Sequence, residues 1–270
     1  MYDFQISTAT IVVLAINVLI GIALTIGPAI FFNKKYKASS RVYVIGMVTM
    51  LIFAYIIEGL FNITIAGMPM GAVIYSNAFL KAVYGAFMAA LFEEAGRFVA
   101  MRFWMHRERG NDMNAFMYGA GHAGLEAFTI LVYSMAVTLY YAMLIKNGQL
   151  DSMMGTLDEA SKAVLITQAQ TIAGTSPAVY LVAAVERTSA VALHIALSVI
   201  VWQAVNKPGK TYYVAIAFVV HFLVDFIAGY LGTKTIALTE ILVVLASFGV
   251  LVYAVRIQKK NKQNEQTEPV

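Results

Sequence analysis

Residues 79–103 read FLKAVYGAFMAALFEEAGRFVAMRF. The run is apolar enough to cross a membrane as a helix, yet Glu93, Glu94 and Arg97 fall within two helical turns of one another. A charged side chain at mid-bilayer costs about 2.5–3.5 kcal/mol on insertion scales, so three unpaired ones would cost on the order of 10 kcal/mol. They must therefore face protein or water. Glu93 and Arg97 are spaced i,i+4 and Glu94 and Arg97 i,i+3, which puts all three on one broad face. Two carboxylates against one guanidinium leave a surplus negative charge, and that makes one carboxyl a proton acceptor usable near neutral pH. A structural ion pair locking this helix to a neighbour accounts for the same spacing.

The rest of the chain supports a membrane setting. Of 270 residues 60% are hydrophobic and only 13% charged, where soluble domains carry about 25% charge. Apolar runs long enough to span the hydrocarbon recur throughout. The expected fold is all-α: a polytopic membrane helix bundle of about seven transmembrane helices, near 8–32, 42–66, 76–103, 115–146, 177–205, 210–231 and 236–257. Residues 1–257 read as a single transmembrane bundle and 258–270, ending KKNKQNEQTEPV, as a disordered cytoplasmic tail. The first run lacks a basic leader and is too long for a signal sequence, so it is expected to be retained.

The net charge of +4 reports topology rather than a nucleic-acid partner, and none is expected. Lys and Arg crowd the segments after helices 1, 3 and 5 and the C-terminal tail, while the opposite loops hold only Lys81, Lys146, Lys162 and Lys234. By the positive-inside rule the N-terminus is outside and the C-terminus cytoplasmic in a cell membrane, with a bacterial plasma membrane the expected site. No cysteine is present, which excludes disulfides and thiolate metal sites. In the external stretch 147–176, Thr156 stands three residues before Glu159, a capping-box spacing that opens an interfacial or lid-like helix or a loose loop helix.

Three of the four histidines lie inside apolar runs on different helices: His122, His194 and His221. A lone buried histidine is usually a satisfied core residue; here depth links the three. Counted from the cytoplasmic helix ends, Glu93 and Glu94 come out roughly 13–15 Å deep, His122 roughly 10 Å, and His194 and His221 roughly 17 Å. Four consecutive helices thus offer imidazole or carboxylate to one layer. Glu126 lies i,i+4 from His122 and Asp225 i,i+4 from His221, each placed to ligate a metal beside its ring or to fix an imidazole's tautomer. Arg187 is two turns from His194 on the same face and Ser198 one turn the other way. The small residues of YGAGHAGLEA (118–127) and of Ala82, Ala86 and Ala90 allow close helix approach beside these groups. Asn17, Glu58, Asn62 and Glu240 read as interhelical hydrogen bonds or rim residues.

Glu93-Glu94-x-x-Arg97, Tyr118-x-x-x-His122 with Glu126, His194-x-x-x-Ser198 and His221-x-x-x-Asp225, in that order on consecutive helices, resemble the YhfC family of membrane proteases. That family is related to the CAAX prenyl proteases and their bacteriocin-processing relatives, to PrsW and to the scaffold subunit of gamma-secretase. The resemblance implies an intramembrane endopeptidase. Glu93 would activate water with Glu94 and Arg97 as tuning partners, and His122 would hold the water or a metal. His194 and His221 would bind metal or stabilise the oxyanion. Two departures stand out: the CAAX motif has one more residue before its Arg, and the Asn that often follows the later His is here Ser198 or Asp225.

The chemistry is coherent on its own terms. Histidines with a carboxylate form a ligand set for Zn²⁺, so zinc held by His122, His194 and His221, with Glu94 as a further ligand, is one expectation. A metal-free glutamate mechanism, with protonated His or Arg97 supplying the positive field, is the other. The expected partners are the lipid bilayer and a membrane-embedded or membrane-associated polypeptide substrate. A proton- or ion-coupled transporter uses similar residues, but would favour inverted repeats and broken helices; a non-catalytic membrane scaffold is a third reading.

Overall fold

The computed structural model describes residues 4–155 and 157–267, with side chains as far as residue 260. Among the described residues every regular element is helical. In chain order these are α1 (Thr8–Tyr36), α2 (Ser40–Ala66), α3 (Pro69–Ser76), α4 (Ala78–Trp104), α5 (Met113–Lys146), α6 (Leu150–Met154), α7 (Glu159–Gly174), α8 (Pro177–Asn206), α9 (Tyr213–Leu231) and α10 (Ile236–Thr267). Six of the described helices, α1, α2, α5, α8, α9 and α10, are long and apolar enough to cross a membrane unaided. The seventh candidate is α4, which carries the glutamate pair and qualifies only together with α3, from which it is bent by 110°. The protein is thus an all-α, polytopic membrane protein.

Asn77 makes the bend. Its backbone is extended, which ends α3, and its side-chain oxygen accepts hydrogen bonds from the N–H groups of Phe79 and Leu80, which starts α4. Three segments are wound as π-helix: Leu51–Glu58 in α2, Ala100–Trp104 at the end of α4 and Phe128–Ser134 in α5. Such turns re-aim side chains within an otherwise regular helix. α10 continues as helix to Thr267; the last three residues of the 258–270 tail, and its side chains beyond Lys260, lie outside the described residues.

The chain divides into two compact units. The first holds the described residues up to Leu24 and Ala127–Arg187. Within it, α7 begins at an N-cap formed by Asp158, whose carboxylate accepts from the N–H of Ser161; Thr156, which the sequence offered for the capping box, lies outside the described residues. Leu165 and Ala169 of α7 pack with Ile145, Leu150 and Met154, and Ile172 with Leu14 and Ala142, so this helix has a covered apolar face. Asn17 donates to the carbonyl of Tyr180 across helices at 2.6 Å.

The second unit, Thr25–Glu126 and the described residues from Thr188 onward, contains the polar layer. α9 packs along α4, and α2 packs on α4 beside it. The glycines of α5 set its depth. A methyl group at Gly121 would strike the carbonyl oxygen of Tyr43 in α2, and one at Gly119 would lie 2.6 Å from the Cα of Ile195 in α8. His122, one residue on, is thereby held between two close helix contacts. Gly121→Ala is expected to lower stability by about 1–3 kcal/mol through overpacking against backbone that cannot yield; unfolding in a detergent series checks it, and an unchanged midpoint would refute the close-contact account. Elsewhere in this unit Asn62 accepts from the Tyr84 hydroxyl at 2.7 Å and donates to Glu58 at 3.2 Å, an interhelical bond as the sequence led one to expect.

Candidate metal centre

Glu93, Glu94, Arg97, His122, His194 and His221 are all buried, none more than 6% exposed. They meet because α4, α5, α8 and α9 each present their polar side chains to the same layer. Arg97 forms a buried ion pair with Glu94, Nη1 to Oε1 at 2.6 Å. Its other terminal nitrogen lies 3.1 Å from Nδ1 of His194. A guanidinium can only donate, so that Nδ1 accepts and the ring's proton sits on Nε2, which faces Glu126 Oε2 at 3.1 Å. Glu126 thus fixes the tautomer of His194, on another helix, although it stands one turn from His122 on its own.

Glu93 has different company. Its Oε2 lies 2.9 Å from Nε2 of His122 and 3.6 Å from Nδ1 of His194. His221 is held on both sides, Nδ1 2.8 Å from Glu94 Oε1 and Nε2 3.3 Å from Asp225 Oδ2. The three rings form a chain, with centroids 5.1 Å apart between His122 and His194 and 5.3 Å between His194 and His221. Tyr118 stacks on His122 from one turn earlier, its ring at 29° to the imidazole. Among the described residues, Glu93, His194 and His221 form a group in which one ligand atom from each lies within 4.8 Å of the others.

Residues 20–260 match the family described as YhfC intramembrane metalloprotease. The chain is also similar to the uncharacterized membrane protein YhfC of Bacillus subtilis (strain 168), 33% identical over 204 residues that make up 75% of this chain and 78% of that protein. The chain belongs to the YhfC family. No solved structure matches it.

Membership in YhfC implies a metal, and the donors present suit one. The cluster gathers the carboxylates of Glu93, Glu94, Glu126 and Asp225 around a single guanidinium. With neutral rings that leaves a threefold negative excess in a mostly buried space, which protons or a cation must offset. A carboxylate and two imidazoles are also a recurrent catalytic metal set. The carboxylate in the three-donor group is Glu93, where the sequence offered Glu94, and His122 is joined to that group through its hydrogen bond to Glu93. Three buried atoms of the cluster, Glu94 Oε2, Arg97 Nε and His122 Nδ1, have no hydrogen-bond partner among the described residues. Glu126 and Asp225 are the least buried acids of the cluster, their side chains 17% and 35% exposed.

The remaining candidates have local partners. The Ser198 hydroxyl is buried and donates back to the carbonyl of His194 at 2.7 Å, tightening the helix that carries the ring. Arg187 belongs to the first unit, where it pairs with Glu186. His106 is exposed, its ring at the Phe103 carbonyl. Hydropathy did not mark Phe53: this residue of the π-wound stretch of α2 lies against Gly96, where a methyl group would come within 2.5 Å of the ring. A glycine next to a buried arginine in mid-helix was the available signal.

Proposed function

We propose that this YhfC-family protein is an intramembrane endopeptidase that hydrolyses a polypeptide lying in or against the bilayer, with Glu93, His194 and His221 holding zinc. The observation that carries the reading is the convergence of one carboxylate and two imidazoles in a buried, net-negative layer. Mixed nitrogen and oxygen donors favour zinc over magnesium or calcium. Bound there, zinc supplies Lewis-acid polarisation of a carbonyl and of water.

The chain's own groups do the rest. His122 donates to Glu93 and orients its carboxylate, and Glu126 holds the Nε2–H of His194, so that Nδ1, to which Arg97 donates in this structure, is the nitrogen that would turn to the metal. Glu94 is anchored through Oε1 by Arg97 and His221, which leaves Oε2 as the proton acceptor. Water loses a proton to Glu94 as its oxygen attacks the peptide carbonyl. The proton then passes to the departing nitrogen as the C–N bond breaks, giving a carboxylate end and an amine end. Arg97 offers positive charge beside the oxyanion. A cluster meeting at one point, rather than a file of polar groups along a path, favours hydrolysis over a carrier. The excess of Lys and Arg at one end of the helices supports a cytoplasmic C-terminus and an external N-terminus in the plasma membrane.

Purified in detergent, the wild-type chain is expected to carry close to one zinc per molecule by plasma mass spectrometry. His194→Ala and His221→Ala should lose it, and His122→Ala should bind it roughly 10–100-fold more weakly. The loaded protein in vesicles should cleave a single-span polypeptide, and a chelator should stop it. Metal retained in both ligand variants rejects the site; a loaded chain that leaves membrane polypeptides intact rejects the protease.

A further inference from the structure

The second unit holds a cavity of about 960 Å³ where the ends of α1, α8 and α10 meet the α4–α5 loop. Phe32, Phe116, Ile195 and Leu251 give it apolar walls. The lining reaches back along α8 from Asn206 to Ile195, a rise of roughly 17 Å, about the reach of an acyl chain. The mouth carries Arg109, Lys207 and Lys259 against one acid, Asp112, whose Oδ1 is already taken by the indole N–H of Trp202 at 2.9 Å.

Polar atoms without partners belong to residues that line the same cavity. Arg109 Nε, both polar side-chain atoms of Asn206 and Gln258 Oε1 are buried and have no hydrogen-bond partner among the described residues. All three residues line the space, and Gln258 is only 8% exposed. A buried polar atom without a partner is costly enough to be rare in a native protein, so four of them around one opening specify what fills it.

The specification has three parts. Arg109 Nε and Asn206 Nδ2 need an acceptor, and the cationic surroundings require it to be an anion. Asn206 Oδ1 and Gln258 Oε1 need donors. The aromatic and aliphatic walls need hydrocarbon. We infer that this cavity binds an anionic glycerophospholipid of the phosphatidylglycerol class, phosphate against Arg109 and Asn206, headgroup hydroxyls toward Gln258, acyl chain along α8. A choline headgroup would bring a second cation to three basic side chains and no donor. Free glycerol phosphate would satisfy the polar groups and leave the walls bare.

The test uses the full chain, delipidated in detergent, with binding read by native mass spectrometry and by the shift in unfolding temperature. The probes are dioleoyl phosphatidylglycerol, dioleoyl phosphatidylcholine and sn-glycerol 3-phosphate. Phosphatidylglycerol is expected to bind at least about tenfold more tightly than phosphatidylcholine, with glycerol phosphate giving no shift. Asn206→Asp and Arg109→Gln should each weaken phosphatidylglycerol about fivefold or more and leave phosphatidylcholine unchanged. Arg109 also donates to the Arg102 carbonyl, so if Arg109→Gln does not fold, Gln258→Leu, whose Oε1 supports no bond, carries the same expectation. Equal binding of the two lipids, or a folded variant that keeps the full preference, overturns the inference. Glycerol phosphate binding as well as the lipid would reassign the cavity to a soluble phosphate ester.

Discussion

Glu93→Gln is expected to strip the metal from the purified protein, whereas Glu94→Gln keeps the metal and lowers cleavage by about 10²–10⁴-fold. The two residues are neighbours on α4, and both are buried to within a few percent; their different partners give them different tasks. Glu93 Oε2 is shared between His122 and the His194 side of the cluster, and its carboxylate belongs to the three-donor group. An amide there keeps the shape and gives up the charge that a divalent cation requires. Glu94 is clamped through one oxygen by Arg97 and His221 and leaves the other without a partner, which suits a group that must accept a proton. The measurement pairs metal content with the appearance of new peptide N-termini in membranes from cells making each variant. If Glu93→Gln keeps full metal and Glu94→Gln keeps full activity, the roles are reversed and Glu93 is the base. Absence of metal from fresh, folded wild type would select the glutamate mechanism without metal.

The sequence carried the all-α polytopic fold because the bilayer makes charge expensive: helices announce themselves by length and apolarity, and the few charged positions inside them by contrast. α4 illustrates the limit. Its own polar residues dilute the run, and only with α3 does it qualify as a span. The 110° bend at Asn77 rests on one backbone conformation that hydropathy does not register. The clustering of polar groups was legible. Depth along four helices singled out the glutamate pair, the arginine and three histidines, and these side chains meet in one cluster.

Which partner each takes was not legible. Spacing along one helix put Glu126 a turn from His122 and left open which imidazole's tautomer it fixes; an i,i+4 neighbour competes with groups on other helices, and at Glu126 the ring of His194 lies at 3.1 Å. Spacing also put Arg97 under both carboxylates, yet it pairs with Glu94 while Glu93 turns to His122. The π-wound stretch of α2 that lays Phe53 on Gly96 depends on hydrogen-bond register, which leaves no periodic trace in eight residues.

Arg97→Met is expected to be the most destabilising single change in the second unit, costing about 3–5 kcal/mol. The side chain is completely buried, with one terminal nitrogen 2.6 Å from Glu94 and the other 3.1 Å from His194. Methionine fills similar volume, so the loss comes from the carboxylate left behind rather than from a cavity. Glu94 would keep only its hydrogen bond to His221 in a space that already holds an excess of carboxylates. Removing that carboxylate as well should restore most of the loss, and Arg97→Met with Glu94→Gln is expected to unfold within about 1–2 kcal/mol of wild type, because replacing both members of a buried pair by uncharged groups can be close to neutral. Reversible unfolding in mixed micelles reads all three proteins. It should be run with and without chelator, since a metal bound to the folded state adds its own stabilisation by mass action. A single variant within 1 kcal/mol of wild type by that measure would mean that the guanidinium does not neutralise Glu94. A double variant as unstable as the single would mean that Arg97 acts mainly through His194, and so holds the ring rather than the charge.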